Sequence, residues 1–264
     1  VNELPLSADV EPALLHDELV LTGRVVSASN ATFVATIGDV QVVYKPVAGE
    51  QPLWDFPDGL LAHRELAAYQ ASRATGWDVV PPTWLRDGPH GPGMVQRWQT
   101  SDPDQEAVTI VRARRVPDGM LHVFDGVDER DRPVALVHED TPALRRMAVL
   151  DVVLNNADRK GGHVLEMADG HRYGVDHGLT FHAEHKLRTV LWGWLGQPLT
   201  DDELDGVRRL RASLDDATGL GGVLPDLVTA AEVQAFGDRC DALLSAGTFP
   251  APHGPMPAVP WPPF

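Results

Sequence analysis

The sequence is short of several things, and each shortage narrows what the chain can be. Its 264 residues include one cysteine, Cys240, so no disulfide can close within the chain and a reducing, cytoplasmic setting is expected. Lysine is nearly absent: Lys45, Lys160 and Lys186 are the three, and arginine supplies every other basic residue. Basic residues of both kinds number 22 against 38 acidic ones, a net charge of -16. Whole-chain attraction to nucleic acid or anionic lipid is therefore disfavoured. No apolar run approaches the ~20 residues that a membrane span requires. The first fifteen residues are acidic and lack the basic-then-apolar plan of a secretory leader.

What remains is ordinary globular material, 43% hydrophobic and 23% charged, long enough for one large core or two lobes. Against an arginine-rich background, a retained lysine points to a need for a compact ammonium, which a forked guanidinium does not replace. Lys45 ends the strand-like run Val40-Gln41-Val42-Val43-Tyr44, and Lys160 lies in the most informative stretch of the chain.

That stretch reads Asn155-Asn156-Ala157-Asp158-Arg159-Lys160-Gly161-Gly162-His163, then a short strand, the turn Ala168-Asp169-Gly170, a second strand, and Asp176-His177-Gly178. Phosphoryl transfer from a nucleotide needs one carboxylate to orient the attacking hydroxyl and others to hold a divalent metal against the phosphates. A loop followed by a hairpin can place Asp158 at the nucleophile and Asp176 at the metal. The same two residues also suit a turn and a helix cap.

The surrounding pattern orders the chain. Residues 18–44 suggest an antiparallel meander, with strands at 19–21, 24–26, 32–36 and 40–44 and small polar links between them. Residues 59–73 read as a helix stopped by Gly76. Two more strands are expected around Pro81 to Leu85 and Gly93 to Arg97, and beyond Trp98 the chain is expected to be mainly helical. Helices are predicted at 141–155, 201–214 and 230–244. The proline-rich end from about 249 is expected to lie extended on the surface or to be disordered. The fold class is thus α+β: residues 1–97 form a β-rich lobe with one helix, and residues 98–264 a helical lobe.

The order Asn156-Ala157-Asp158-Arg159 with His163, then Asp176-His177-Gly178, resembles the phosphoinositide 3-/4-kinase superfamily, which includes the bacterial HipA-type protein kinases. Those families carry N-x-D-R-H-x-x-N followed by D-x-G. The resemblance covers Lys45 to Gly178 in motif order and implies a two-lobed, protein-kinase-like fold that binds ATP with Mg²⁺ or Mn²⁺. It implies that Lys45 contacts the nucleotide phosphates and pairs with Glu65 on the 59–73 helix, with Glu50 competing for that partnership. Asp158 would face the acceptor hydroxyl, and Asp176 would hold metal. Ser29 and Asn30 would lie in the phosphate-covering loop, which is not glycine-rich here. Met94, Val95, Gln96 and Trp98 would form the strand between the lobes, their backbone reading the adenine edge.

Two departures from the family pattern matter. His163 stands where the family has asparagine, so either an imidazole joins the metal site, favouring Mn²⁺, or one metal is weakened; a structural role for His163 is the alternative. Lys160 stands where histidine is usual, and lysine at that place resembles Ser/Thr protein kinases, where it touches the transferred phosphate. The implied function is a kinase acting on a protein hydroxyl or on itself. A phosphoinositide or other small-molecule kinase and a nucleotide-binding pseudokinase scaffold are the alternatives. His177, His182 and His185 have ligand-like spacing, but no cysteine accompanies them as in a structural zinc site. Trp192 and Trp194 suit packing of the helical lobe.

Overall fold

The computed structural model describes residues 10–25, 30–51, 53, 56 and 60–264. After a short helix α1 (Pro12–His16), strands β1 (Leu19–Arg24), β2 (Phe33–Ile37) and β3 (Val40–Pro46) form an antiparallel meander. Two strands expected at 19–21 and 24–26 are one: β1 runs through to Arg24, with its register against β2 shifting between Leu21 and Gly23. Helix α2 (Leu61–Thr75) follows, then β4 (Thr83–Gly88) and β5 (Gly91–Arg97). The sheet order is β1-β2-β3-β5-β4, so β5 is inserted between β3 and β4.

Strand periodicity sorts the side chains of β3. Val42, Tyr44 and Pro46 are buried, while Val43 and Lys45 alternate with them. One face of the sheet closes a small core of Ala35, Ile37, Val42, Tyr44, Trp84 and Val95, with Leu14 of α1 laid against it.

Helix α2 is buried over most of its surface, with His63 and Gln70 half-buried and Arg73 exposed. Leu61, Ala62, Leu66, Ala67, Ala68 and Ala71 are buried, and so are Arg64 and Glu65. A helix buried on most of its sides lies between two layers rather than on one. Its apolar residues join the large core of the second lobe, and Arg64 reaches across to Glu232 at 2.7 Å and to the carbonyl of Thr180 at 2.7 Å. At its end Gly76 takes φ +74°, a left-handed cap that a side chain would strain.

The expectation that the chain turns mainly helical beyond Trp98 needs correction. Strands β6 (Val108–Arg112), β7 (Met120–Val127) and β8 (Pro133–Glu139) form a second antiparallel sheet in the order β6-β8-β7. Val108-Thr109-Ile110-Val111 and Val134 to Val137 are rich in β-branched residues, whose stiff side chains favour a pleated surface.

Helical structure then takes over. In α3 (Pro142–Leu154) Thr141 caps the N-terminus through the Leu144 N–H, and Asn155 ends the helix at φ +56°. A hairpin of β9 (Val164–Glu166) and β10 (Arg172–Gly174) follows. Helices α4 (Asp201–Leu214), α5 (Leu220–Val223) and α6 (Ala230–Ala246) complete the lobe. Capping boxes start α4 (Thr200 with Glu203) and α6 (Thr229 with Glu232). Leu144, Met147, Leu150, Leu154, Phe181, Trp194, Leu210 and Phe236 fill the large core.

The proline-rich end lies on the surface. The Ala258 carbonyl accepts from the Thr189 N–H at 3.0 Å and from Trp192 Nε1 at 2.9 Å, and the Pro263 carbonyl accepts from the Gly161 N–H at 2.8 Å. Among the described residues no helix is long and apolar enough to cross a membrane. The result is the α+β layout expected from the sequence: a five-stranded antiparallel sheet, then a mainly helical portion, with α2 packed between them.

Candidate active site

Three elements far apart in sequence meet under the first sheet. The alternation of β3 turns Lys45 away from the Tyr44 core, towards α2 and the hairpin. Its Nζ lies 2.7 Å from Glu65 Oε1 and 2.7 Å from Asp176 Oδ1. Glu65 is 2% exposed, and its second oxygen accepts the His177 N–H at 2.9 Å, so one carboxylate ties α2 both to β3 and to the segment after β10. Burial works against the charge on Lys45, but Asp176 and Glu65 outweigh it and hold its pKa above the ordinary lysine value. Glu50 goes elsewhere: its oxygens accept the N–H groups of Leu61 and Ala62, where a carboxylate also suits the positive end of the helix dipole.

Asp176 sits at φ +63°, a conformation uncommon for a residue with a side chain. Lys45 depresses its carboxyl well below the usual range, more than burial raises it. With Oδ1 on Lys45, Oδ2 faces His163 Nε2 at 3.4 Å. Burial pushes His163 down to about 4, which leaves the ring neutral near pH 7, and its Nδ1 is buried with no hydrogen-bond partner among the described residues.

The loop after α3 is held by a buried ion pair. Arg159 is wholly buried and forks onto Asp151 of α3, with Nε 2.8 Å from Oδ2 and Nη2 2.9 Å from Oδ1. Its Nη1 donates to the carbonyls of His163 and Val175, each at 3.1 Å, and its Nη2 donates to His177 Nε2 at 2.7 Å. Burial, reinforced by the Arg159 charge, drives the His177 pKa well below the ordinary histidine value, as an acceptor of that bond requires. Asn156 donates to Asp151 Oδ1 at 2.8 Å and accepts the Asp158 N–H at 3.0 Å. Asn155 holds the following segment, donating to the carbonyls of His182 and Glu184 and accepting the Lys186 N–H.

This scaffold presents Asp158 with its side chain 26% exposed, and Lys160 Nζ 3.6 Å from its Oδ2. Burial raises its pKa, Lys160 and Arg188 lower it, and Asp176 adds a raising contribution. Lys45, Asp158, Lys160, His163 and Asp176 thus lie near one another. Among the described residues no group of three or more His, Cys, Asp or Glu side chains forms a metal site. A cation here would be shared with a ligand's own oxygens.

No family model matches the sequence. A Mycobacterium tuberculosis protein, Rv2133c, is 49% identical over 272 residues, spanning 97% of this chain and 96% of that one. The chain belongs to the Rv2133c family. In outline, the Helicobacter pylori proinflammatory kinase CtkA covers 89% of this chain and 94% of its own, at 12% identity and a TM-score of 0.48.

The remaining site residues of this Rv2133c-family chain are placed less centrally. Ser29 lies outside the described residues. Asn30 is in the link between β1 and β2, where its side-chain oxygen accepts the Gln51 N–H at 2.9 Å. Met94, Val95 and Gln96 are paired on both sides, with Lys45, Tyr44 and Val43 of β3 and with Leu85, Trp84 and Thr83 of β4. The Gln96 side chain donates to Thr83 Oγ1, and the Trp98 N–H donates to the Gln41 carbonyl at 3.0 Å. The backbone of Met94 to Gln96 is thus engaged within the sheet, and the Trp98 N–H is engaged as well. His182 packs edge-on against Phe56, and His185 stacks on His253 at 3.6 Å. Trp194 is buried against His138 and Phe249.

Sequence reasoning missed Asp151, the scaffold role of Arg159, and His177 as its acceptor. One signal was available for Asp151: an ionised residue inside the apolar face of a helix is rarely buried without a partner.

Proposed function

We propose that this chain is an ATP-dependent phosphotransferase that passes the γ-phosphate to a protein hydroxyl, including one of its own. The observation that carries this reading is Lys45, held between Glu65 and Asp176, with a partly exposed Asp158 and its neighbour Lys160 close by. The motif order resembling the phosphoinositide 3-/4-kinase superfamily supports it. Lys45, fixed by Glu65, would meet the nucleotide phosphates as a point charge. Asp158 would accept a hydrogen bond from the acceptor hydroxyl and orient it for in-line attack. Lys160 lies close enough to Asp158 to steady the transferred group as its charge develops. The adenine edge would be read by backbone at the Trp98 end of the Met94 to Trp98 segment.

The residues present fit a divalent cation. Asp176 Oδ2 and the neutral His163 ring stand 3.4 Å apart, and two protein ligands suit an ion that keeps waters and phosphate oxygens around it. When bound, Mg²⁺ or Mn²⁺ neutralises charge on the phosphates. A nitrogen ligand favours Mn²⁺.

The deciding experiment incubates the pure chain and a generic acceptor with labelled ATP and either metal. Label on the acceptor or the chain supports the proposal, and its loss in Asp158→Ala assigns the step. ATP binding without transfer, under either metal, would favour the pseudokinase reading, to which the histidine at position 163 lends weight. A phosphoinositide acceptor has less support: Lys186, a cation available in the segment after Asp176, is buried and lies 3.6 Å from Glu184.

A further inference from the structure

The second sheet carries a feature unrelated to the candidate active site. A groove of about 680 Å³ runs along the end of β6, lined by Ile110, Arg112, Arg114, Arg115 and Arg132, with Asp128 on its far side. In a chain of net charge -16, four guanidinium groups around one groove form a local field opposite to that of the whole. Arg132 is engaged by Asp128. The side chains of Arg112, Arg114 and Arg115 are exposed and make no hydrogen bond or ion pair among the described residues.

The edge of the sheet beside them is open. Among the described residues β6 pairs with β8 alone. The Ala113 N–H donates to the Pro133 carbonyl and the Glu139 N–H to the Ala107 carbonyl, which fixes the alternation: the odd-numbered residues of β6 bond β8. The backbone groups of Val108, Ile110 and Arg112 therefore face away from the sheet. The Arg112 carbonyl is taken by the Arg115 N–H. The Ile110 side chain is 48% exposed. An unpaired strand edge with an apolar side chain in it accepts a further strand.

We infer that this edge and groove dock an extended acidic peptide segment of a partner protein. Its backbone would pair along β6 at Ile110, and its carboxylates would meet the forks of Arg112, Arg114 and Arg115, a geometry suited to bidentate bonding. No aromatic side chain lines the groove for bases to stack on, which favours peptide over single-stranded nucleic acid. The inference is independent of phosphotransfer.

The test titrates the full chain into a fluorescein-labelled twelve-residue peptide of alternating Glu and Val, followed by anisotropy at low and moderate salt. Saturable binding is expected, weakening as salt rises, with none for the Lys-Val counterpart. Arg112→Glu/Arg114→Glu/Arg115→Glu should weaken binding about tenfold or more. Ile110→Pro should weaken it too while leaving thermal unfolding nearly unchanged, because that N–H makes no bond to β8 and an edge strand tolerates proline there. No saturable binding, or equal affinity in both variants, overturns the inference. So does tighter, equally arginine-dependent binding of oligo-uridine or of vesicles containing phosphatidylserine.

Discussion

Replacing Asp151 with leucine leaves the Arg159 guanidinium buried and without its counter-charge. Arg159 is 0% exposed and makes two of its five polar contacts to this carboxylate; the others go to two carbonyls and to His177, which cannot neutralise it. Removing one partner of a buried pair typically costs about 3–5 kcal/mol, and Asn156 also loses an acceptor worth about 1 kcal/mol. For a chain of this size each kcal/mol moves the melting midpoint about 2–4 °C, so Asp151→Leu should melt on the order of 10 °C lower. Asp151→Leu/Arg159→Met removes both charges and should lose much less than the sum of the single variants, since the groups left without partners are neutral: two carbonyls, the His177 ring nitrogen and the Asn156 amide. Urea titration followed by fluorescence of the seven tryptophans, with thermal melts alongside, measures all four proteins. A midpoint for Asp151→Leu within about 2 °C of the parent, or strictly additive losses, would refute a buried, coupled pair beneath the loop.

Asp158→Ala is expected to abolish transfer yet keep ATP affinity within about threefold, whereas Asp176→Ala should lose metal-dependent binding; calorimetric titration separates the two, and equal binding losses would contradict the division of roles. His138 is buried, donates through Nδ1 to the Glu139 carbonyl and accepts the Gly193 N–H on Nε2, so burial lowers its pKa. The unfolded chain then binds more protons, and stability present above the unfolded value near ~6.5 should fall below it by at most ~1.4 kcal/mol per pH unit for this residue. Urea midpoints between pH 7.5 and 5 check this, and His138→Gln should flatten the slope. A Cβ added to Gly206 of α4 would lie 2.0 Å from the ring of the buried Trp77, so Gly206→Ala should cost about 1–3 kcal/mol through overpacking, read as a shifted urea midpoint at unchanged slope.

Local chemistry was legible where it is self-contained. Thr141, Thr200 and Thr229 each open a helix by capping backbone within three residues, and Gly76 closes one, so those boundaries lie close to the sequence expectation. The pairing of Lys45 with Glu65 rather than Glu50 was undecidable, because it depends on which carboxylate faces β3 and which caps α2. The position of β5 in the middle of its sheet was invisible for a similar reason. A strand carries no mark of how many neighbours it has, so the commitment of the Met94 to Gln96 backbone appears only in three dimensions. The β6–β8 sheet was overlooked because β6 and β7 bury little: most of their residues are half-exposed or exposed, without a clean alternation towards one core. Arg159 stands in the motif without a role of its own, and Asp151 goes unmarked, until the fold supplies each with the other.

The contact between Gly161 and the proline-rich end has a consequence for how the chain is made. The Gly161 N–H finds its acceptor at Pro263, and the Phe264 ring covers the same glycine. Every other fixed point of that loop named above is synthesised by Arg188, whereas this one arrives last. At about 5–20 residues per second, the ribosome needs roughly 4–15 s to cover that interval. During it the loop bearing Asp158 and Lys160 is bounded on one side only. Chains stalled before Ala258 should be cut by a broad-specificity protease near Gly161 and Gly162, and released chains that include Phe264 should resist; equal cleavage of both would mean that the end segment adds no order to the loop.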